Sequence, residues 1–157
     1  MTAPDASTDR IEKSIVVRAP RGRVWRALSD AAEFGAWFGV DFDPASFAPG
    51  ATVRGRITHP GYEHITMEIV IERMVEGRLL SYRWHPYAVD PAADYSKEPT
   101  TLVTFELHDA PEGTLVTVVE SGFDRIPLHR RAEAFRMNVQ GWAGQMRNIE
   151  AHVAGRH

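Results

Sequence analysis

Ile65, Met67, Ile69 and Ile71 alternate with Thr66, Glu68 and Glu72, a period of two that predicts a strand with one buried face. The same period sets Val53, Gly55 and Ile57 against Arg54 and Arg56. It also sets Leu80, Tyr82 and Trp84 against Ser81, Arg83 and His85. Turns at 59–64 (HPGYEH) and 76–77 (Glu-Gly) join these runs. Residues 101–107 and 114–121 predict another hairpin around a turn at 109–113, and strands linked so briefly must be antiparallel. Near the start, Ile11, Ile15 and Val17 oppose Glu12 and Ser14 on a strand whose alternation Lys13 interrupts. Pro20 opens a short helix with Val24, Trp25 and Leu28 on its apolar face, and Asp30 begins a second helical piece through Phe34. The stretch 38–50 predicts an irregular loop with one short strand, and 86–99 a longer loop over the surface.

The last segment changes period. Leu128, Ala132, Phe135, Val139, Trp142, Met146, Ile149 and Val153 recur at alternating steps of four and three, one apolar stripe on a helix. Such a helix of about 26 residues is about 39 Å long. A coiled coil has the same spacing, but the apolar strand faces offer a partner within the chain, so the expected class is α+β. Gly141 and Gly144 lie inside this helix and each costs about 0.8–1 kcal/mol relative to alanine. They mark either tight packing of helix on sheet or space left for a ligand.

The chain has 157 residues, 43% hydrophobic and 25% charged, which suits one domain over 10–153 with short tails at 1–9 and 154–157. Its formal charge of −3 lacks the basic excess of a nucleic-acid or membrane-surface binder. No apolar run reaches the roughly 18 residues of a bilayer span, and the first nine residues read as a disordered tail, without the pattern of a secretory signal. With no cysteine there is no disulfide, thiolate nucleophile or zinc-thiolate site, a composition that fits the cytoplasm.

A strand, two short helices after Pro20, a run of antiparallel strands and a long closing helix resemble the helix-grip fold of the START-like (SRPBCC) superfamily. More narrowly, the chain resembles the bacterial branch named after the C-terminal domain of the activator of the Hsp90 ATPase. VWRALSD (24–30), EFGAWFGVDF (33–42), FAPG (47–50) and GRITHPGYEH (55–64) carry the resemblance. RWHPYAVDP (83–91), VVESGFDRIP (118–127) and GWAGQMRNIEAHV (141–153) continue it. It implies a curved antiparallel sheet wrapped around the long helix, with a hydrophobic cavity between them. Members differ in what fills that cavity, so function must be argued from the site. Some members carry a vanillate demethylase label, but this chain has neither iron–sulfur cysteines nor a G-x-G-x-x-G fingerprint.

The expected lining is Met67, Tyr82, Trp84, Phe105 and Val118 from the strands and Met137, Gly141 and Trp142 from the helix. Phe38, in the loop after the short helices, closes one mouth. Alternation leaves open which face of 114–121 points inward, since both are mostly apolar. The resemblance implies the Val116 face, which puts the Glu120 carboxylate at the cavity wall. A buried carboxylate is neutral or paired, and Arg54, Arg56, Arg83 or His85 is the candidate partner. Glu120 then has three readings: a structural group, a recognition group for a ligand hydroxyl or carbonyl, or an acid–base partner of His85 in a cyclase- or isomerase-like reaction. His59 and His64 flank one turn beside Glu63, but their spacing matches no zinc motif, so no metal is expected. His108, His129, His152 and His157 read as solvated. Arg125, Arg130, Arg131 and Arg136 form a solvated basic face at the helix start, the one place suited to an acidic protein partner. No G-x-S-x-G or P-loop occurs, and no cofactor is expected. The leading expectation is a binder or carrier of a small hydrophobic or aromatic molecule. The alternatives are the Glu120–His85 enzyme and an Hsp90 co-chaperone-like interaction module, the latter needing an exposed patch on 86–99 or the basic helix start.

Overall fold

Strand β1 (Arg10–Val17) keeps its inward period throughout: Ile11 and Val17 are buried, and Lys13 lies half-buried on their face rather than breaking the alternation. Helices α1 (Arg21–Ser29) and α2 (Ala31–Phe38) follow, then β2 (Val40–Phe42), β3 (Thr52–Ile57), β4 (Thr66–Val75), β5 (Leu79–Trp84), β6 (Thr101–Ala110) and β7 (Gly113–Ser121). A 3₁₀ turn (Phe123–Arg125) leads into the 26-residue α3 (Leu128–Val153). This computed structural model describes residues 9–42, 46–90 and 92–155, so the tail expected at 1–9 lies outside it except for Asp9, as do the last two residues.

All seven strands form one antiparallel sheet in the order β1-β7-β6-β5-β4-β3-β2, curved around α3. This is the α+β helix-grip arrangement. The β6–β7 hairpin is tighter than the sequence suggests: the two strands pair as far as Ala110 and Gly113, leaving only Pro111 and Glu112 in the turn.

Helix α2 runs a full turn beyond Phe34, so Phe38 is its last residue and not a loop residue. Its ends have local causes. The Asp30 side chain accepts from the backbone N–H groups of Ala32 and Glu33 at 2.9 and 3.1 Å, and Gly39 closes the helix in the left-handed region at φ 95°. Phe34 becomes the hub of the core. Its ring centroid lies 4.7–6.2 Å from those of Trp37, Phe38, Phe42, Phe47, Tyr82 and Phe105.

The apolar stripe of α3 starts later than its sequence pattern. Leu128 is 79% exposed and Ala132 is exposed, whereas Ala134, Trp142, Met146 and Ile149 are buried. The first turn is held by polar side chains instead: the Arg131 guanidinium donates back to the Ile126 carbonyl at 2.9 Å, and Arg130 reaches the 86–99 loop.

Candidate functional site

Glu120 sits near the end of β7, opposite Ile11 on β1 and Val103 on β6, with no exposed surface. Its inward face was the one the resemblance implied. Oε2 accepts from Trp84 Nε1 at 2.7 Å and Thr101 Oγ1 at 2.5 Å. Oε1 accepts from Trp142 Nε1 at 2.8 Å and Asn138 Nδ2 at 2.9 Å. All four partners are neutral, and none of the cations expected from the sequence reaches Glu120 among the described residues. The period of two explains this. Arg54, Arg56 and Arg83 alternate with the buried Val53, Gly55 and Tyr82 and stand on the outer face, where Arg54 pairs with Glu68 and Arg83 with Glu72. A buried carboxylate is sustained here by several hydrogen bonds in place of an ion pair.

His85 does not complete an acid–base pair. Its Nε2 lies 3.1 Å from the Glu98 carbonyl oxygen, and no hydrogen bond joins it to Glu120 among the described residues. Tyr82 lies beside the carboxylate, fully buried, and its hydroxyl has no hydrogen-bond partner among the described residues. Burial, reinforced by the Glu120 charge, pushes its phenol well above the ordinary range.

A cavity of about 450 Å³ opens between α3 and one end of the sheet, where Ile57 ends β3, Thr66 to Glu68 begin β4 and Trp84 ends β5. Of the expected lining, Phe38, Met67, Trp84, Met137, Gly141 and Trp142 are on its wall. Tyr82, Phe105, Val118 and Glu120 are not: they are fully buried in the filled half of the interior. Sharing a strand face with Trp84 is insufficient, because the two indoles close the cavity floor. Trp142 packs on Phe105 at 5.7 Å and on Trp84 at 5.8 Å between ring centroids.

Gly141 is exposed and a Cβ built on it would touch nothing within 4 Å; at Gly144 it would meet only the Arg147 guanidinium at 3.8 Å. Tight packing therefore does not explain either glycine, and Gly141 faces open space on the cavity wall.

Several wall residues escaped the sequence reading. Tyr62 and Ile65 come from the β3–β4 connection, Tyr87 and Tyr95 from the 86–99 loop, and Asn138 and Gln145 from α3. A signal existed: three of the four tyrosines lie in those two connections, which alternation cannot place. The 86–99 loop is anchored to α3 by Arg130, whose side chain is only 11% exposed and so does not belong to a solvated face. Its Nη2 lies 2.7 Å from Glu98 Oε1, its Nη1 donates to the Pro86 carbonyl at 2.7 Å, and its guanidinium carbon stands 4.7 Å above the Tyr95 ring. Tyr87, at φ 49°, is the one non-glycine residue in the left-handed region among those described.

His152 is likewise not solvated; it reaches Glu33 Oε1 at 3.0 Å and ties the end of α3 to α2. Among the described residues, no group of three or more His, Asp or Glu could hold a metal ion, and no helix is long and apolar enough to cross a membrane.

Solved structures share the whole architecture at low identity, which concerns fold alone. The Mesorhizobium loti protein MLL2253 is 21% identical with a TM-score of 0.70, over 94% of this chain and 98% of that one. A protein from Arthrobacter aurescens gives 0.73 at 15% identity, over 94% and 87%. DynU16, a protein in the dynemicin biosynthetic locus, gives 0.66 at 22% identity, over 95% of this chain and 50% of its own. No curated protein matches the chain. The model of the activator of Hsp90 ATPase homolog 1-like proteins matches residues 18–154, and the chain belongs to that family.

Proposed function

We propose that the protein binds or carries a small hydrophobic or aromatic molecule in the cavity between α3 and the end of the sheet. The observation that carries this reading is an open cavity of about 450 Å³ floored by two indoles. That volume falls within the roughly 300–1,000 Å³ of small-molecule sites. Trp84 and Trp142 turn their polar N–H groups down onto Glu120, so the cavity receives their apolar rings. Met67 and Met137 add adaptable surface.

The test is a thermal-shift screen against flavonoids, aromatic polyketides, sterols and fatty acids, with Gly141→Leu as the blocked control. A ligand at about 100 times its Kd adds about 2.7 kcal/mol, about 5–10 °C for a domain of this size. A shift lost in Gly141→Leu supports the reading; a flat screen with both proteins overturns it. The family's name supplies a second reading, a co-chaperone-like module. Stimulation of Hsp90 ATPase activity by the protein, undiminished in Gly141→Leu, favours that reading over the first.

A further inference from the structure

Three of the four donors on Glu120, those of Trp84, Trp142 and Asn138, belong to groups on the cavity wall, and their capture decides what the cavity can offer a ligand. Trp84 and Trp142 are donor-only side chains, and both donors are spent on the carboxylate. Asn138, on the wall, spends its Nδ2 on Oε1, which leaves its acceptor oxygen for the cavity. His85, also on the wall, sets Nε2 against the Glu98 carbonyl. A carbonyl only accepts, so Nε2 carries the hydrogen, and in a ring with a single N–H hydrogen Nδ1 is an acceptor. Gln145 has both ends of its amide committed: it donates to the Phe38 carbonyl and accepts from Asn148, three residues further along α3. The tyrosine hydroxyls at the rim can donate or accept and do not discriminate. Among the described residues no arginine or lysine lines the cavity, and the one carboxylate that does, Glu68, is paired with Arg54.

We propose that Glu120, as a positioning residue, sets the polarity of the cavity wall, and that the ligand is an uncharged aromatic molecule presenting hydroxyl or N–H donors, not a carboxylic acid. The inference rests on the proposed cavity-binding function and deepens it. A hydroxyl donates to the acceptors of Asn138 or His85. An ether or carbonyl at the same place leaves them unpaired, and a carboxylate meets no compensating cation among the described wall residues.

The experiment is isothermal titration calorimetry at pH 8 with 2-naphthol, 2-methoxynaphthalene and 2-naphthoate, three probes on one ring system. The expected order places the naphthol about tenfold or more tighter than both others, as a site with buried polar groups rejects an analogue that cannot pair them. Asn138→Ala reduces the naphthol-to-methoxynaphthalene ratio. Glu120→Gln reduces it too: its amide cannot accept all four donors, so the indole and Asn138 donors are released. A ratio that is a merely structural consequence of a weaker fold would not move in this way, since both probes would lose affinity together. Equal binding of all three probes overturns the inference and leaves cavity binding standing. Failure of all three to bind the native protein, with the broader screen also flat, overturns both.

Discussion

Trp84 and Trp142 donate to opposite oxygens of one carboxylate, Oε2 and Oε1 of Glu120, with their ring centroids 5.8 Å apart. One indole ends β5 and the other lies midway along α3, so Glu120 clamps the sheet to the helix directly beneath the cavity. The same clamp turns both rings to present carbon upward.

Removing the clamp strands its donors. Glu120→Ala leaves two indole N–H groups, a threonine hydroxyl and an amide without their acceptor, and is expected to cost about 3–5 kcal/mol in urea unfolding. Glu120→Gln keeps one acceptor oxygen and falls between this variant and the native protein. A loss under about 1 kcal/mol for the alanine variant would mean that the donors find other partners.

Tyr82→Phe behaves oppositely. The hydroxyl is buried without a partner, so deleting it is expected to be neutral or to stabilise by about 1 kcal/mol. Chemical denaturation of the two proteins side by side checks this; a clear loss would reveal an ordered water on that hydroxyl.

Two glycines separate by what surrounds them. Gly141 has open space, so Gly141→Ala gains helix propensity and stabilises by about 0.8 kcal/mol. At Gly55 a Cβ would stand 2.6 Å from the Asp41 carbonyl oxygen and 2.7 Å from the Phe42 Cα, backbone that cannot yield without parting β2 from β3. Gly55→Ala is expected to lower the melting temperature by several degrees, as about 1–3 kcal/mol of overpacking does.

Arg130 fixes the loop that carries Tyr87 and Tyr95. Arg130→Ala is expected to speed proteolytic cleavage within 86–99 by about tenfold, the factor that 1.4 kcal/mol of lost anchoring gives. Mass spectrometry of the fragments checks it: cleavage elsewhere first, at an unchanged rate in the loop, would show that the loop holds without the guanidinium.

Glu33 links α2 to Arg23, Arg26 and His152 at 2.9, 2.9 and 3.0 Å. Burial pushes its carboxyl up, but hydrogen bonds from His152 and Arg23, the Arg23 charge and the Arg26 hydrogen bond outweigh it and hold the group below its ordinary 4.5. A carboxyl held lower in the folded than in the unfolded chain contributes stability that is present above the unfolded value and lost as pH falls through the folded one. Unfolding free energy is therefore expected to decline below about pH 4.5. Glu33→Gln should be less stable than the native protein at pH 7 and lose less on acidification to pH 3. Parallel acid limbs for the two proteins would remove Glu33 from the account.

The period-two runs of β3, β4 and β5 and the stripe of α3 were legible because burial on one face imposes a repeat on sequence. Where burial did not set the repeat, the reading drifted. Phe38 reads as a loop residue because it opens the stretch 38–50, rich in Phe, Asp, Pro and Gly, whereas the helix runs on to it and ends only at Gly39. Arg130 and His152 read as solvated because a polar side chain's partner, Glu98 or Glu33, lies 32 or 119 residues away.

The sequence by itself determined the strands, the long helix, the inward apolar faces and six of the wall residues, since each follows from local periodicity and from likeness to a known fold. Tertiary structure alone decided that Glu120 rests on four neutral donors, that Tyr82, Phe105 and Val118 lie beneath the cavity floor, and that two tyrosine-bearing loops complete its wall. The reason is physical: periodicity records which side of an element is buried, whereas depth, hydrogen-bond partners and loop placement arise from where distant elements meet.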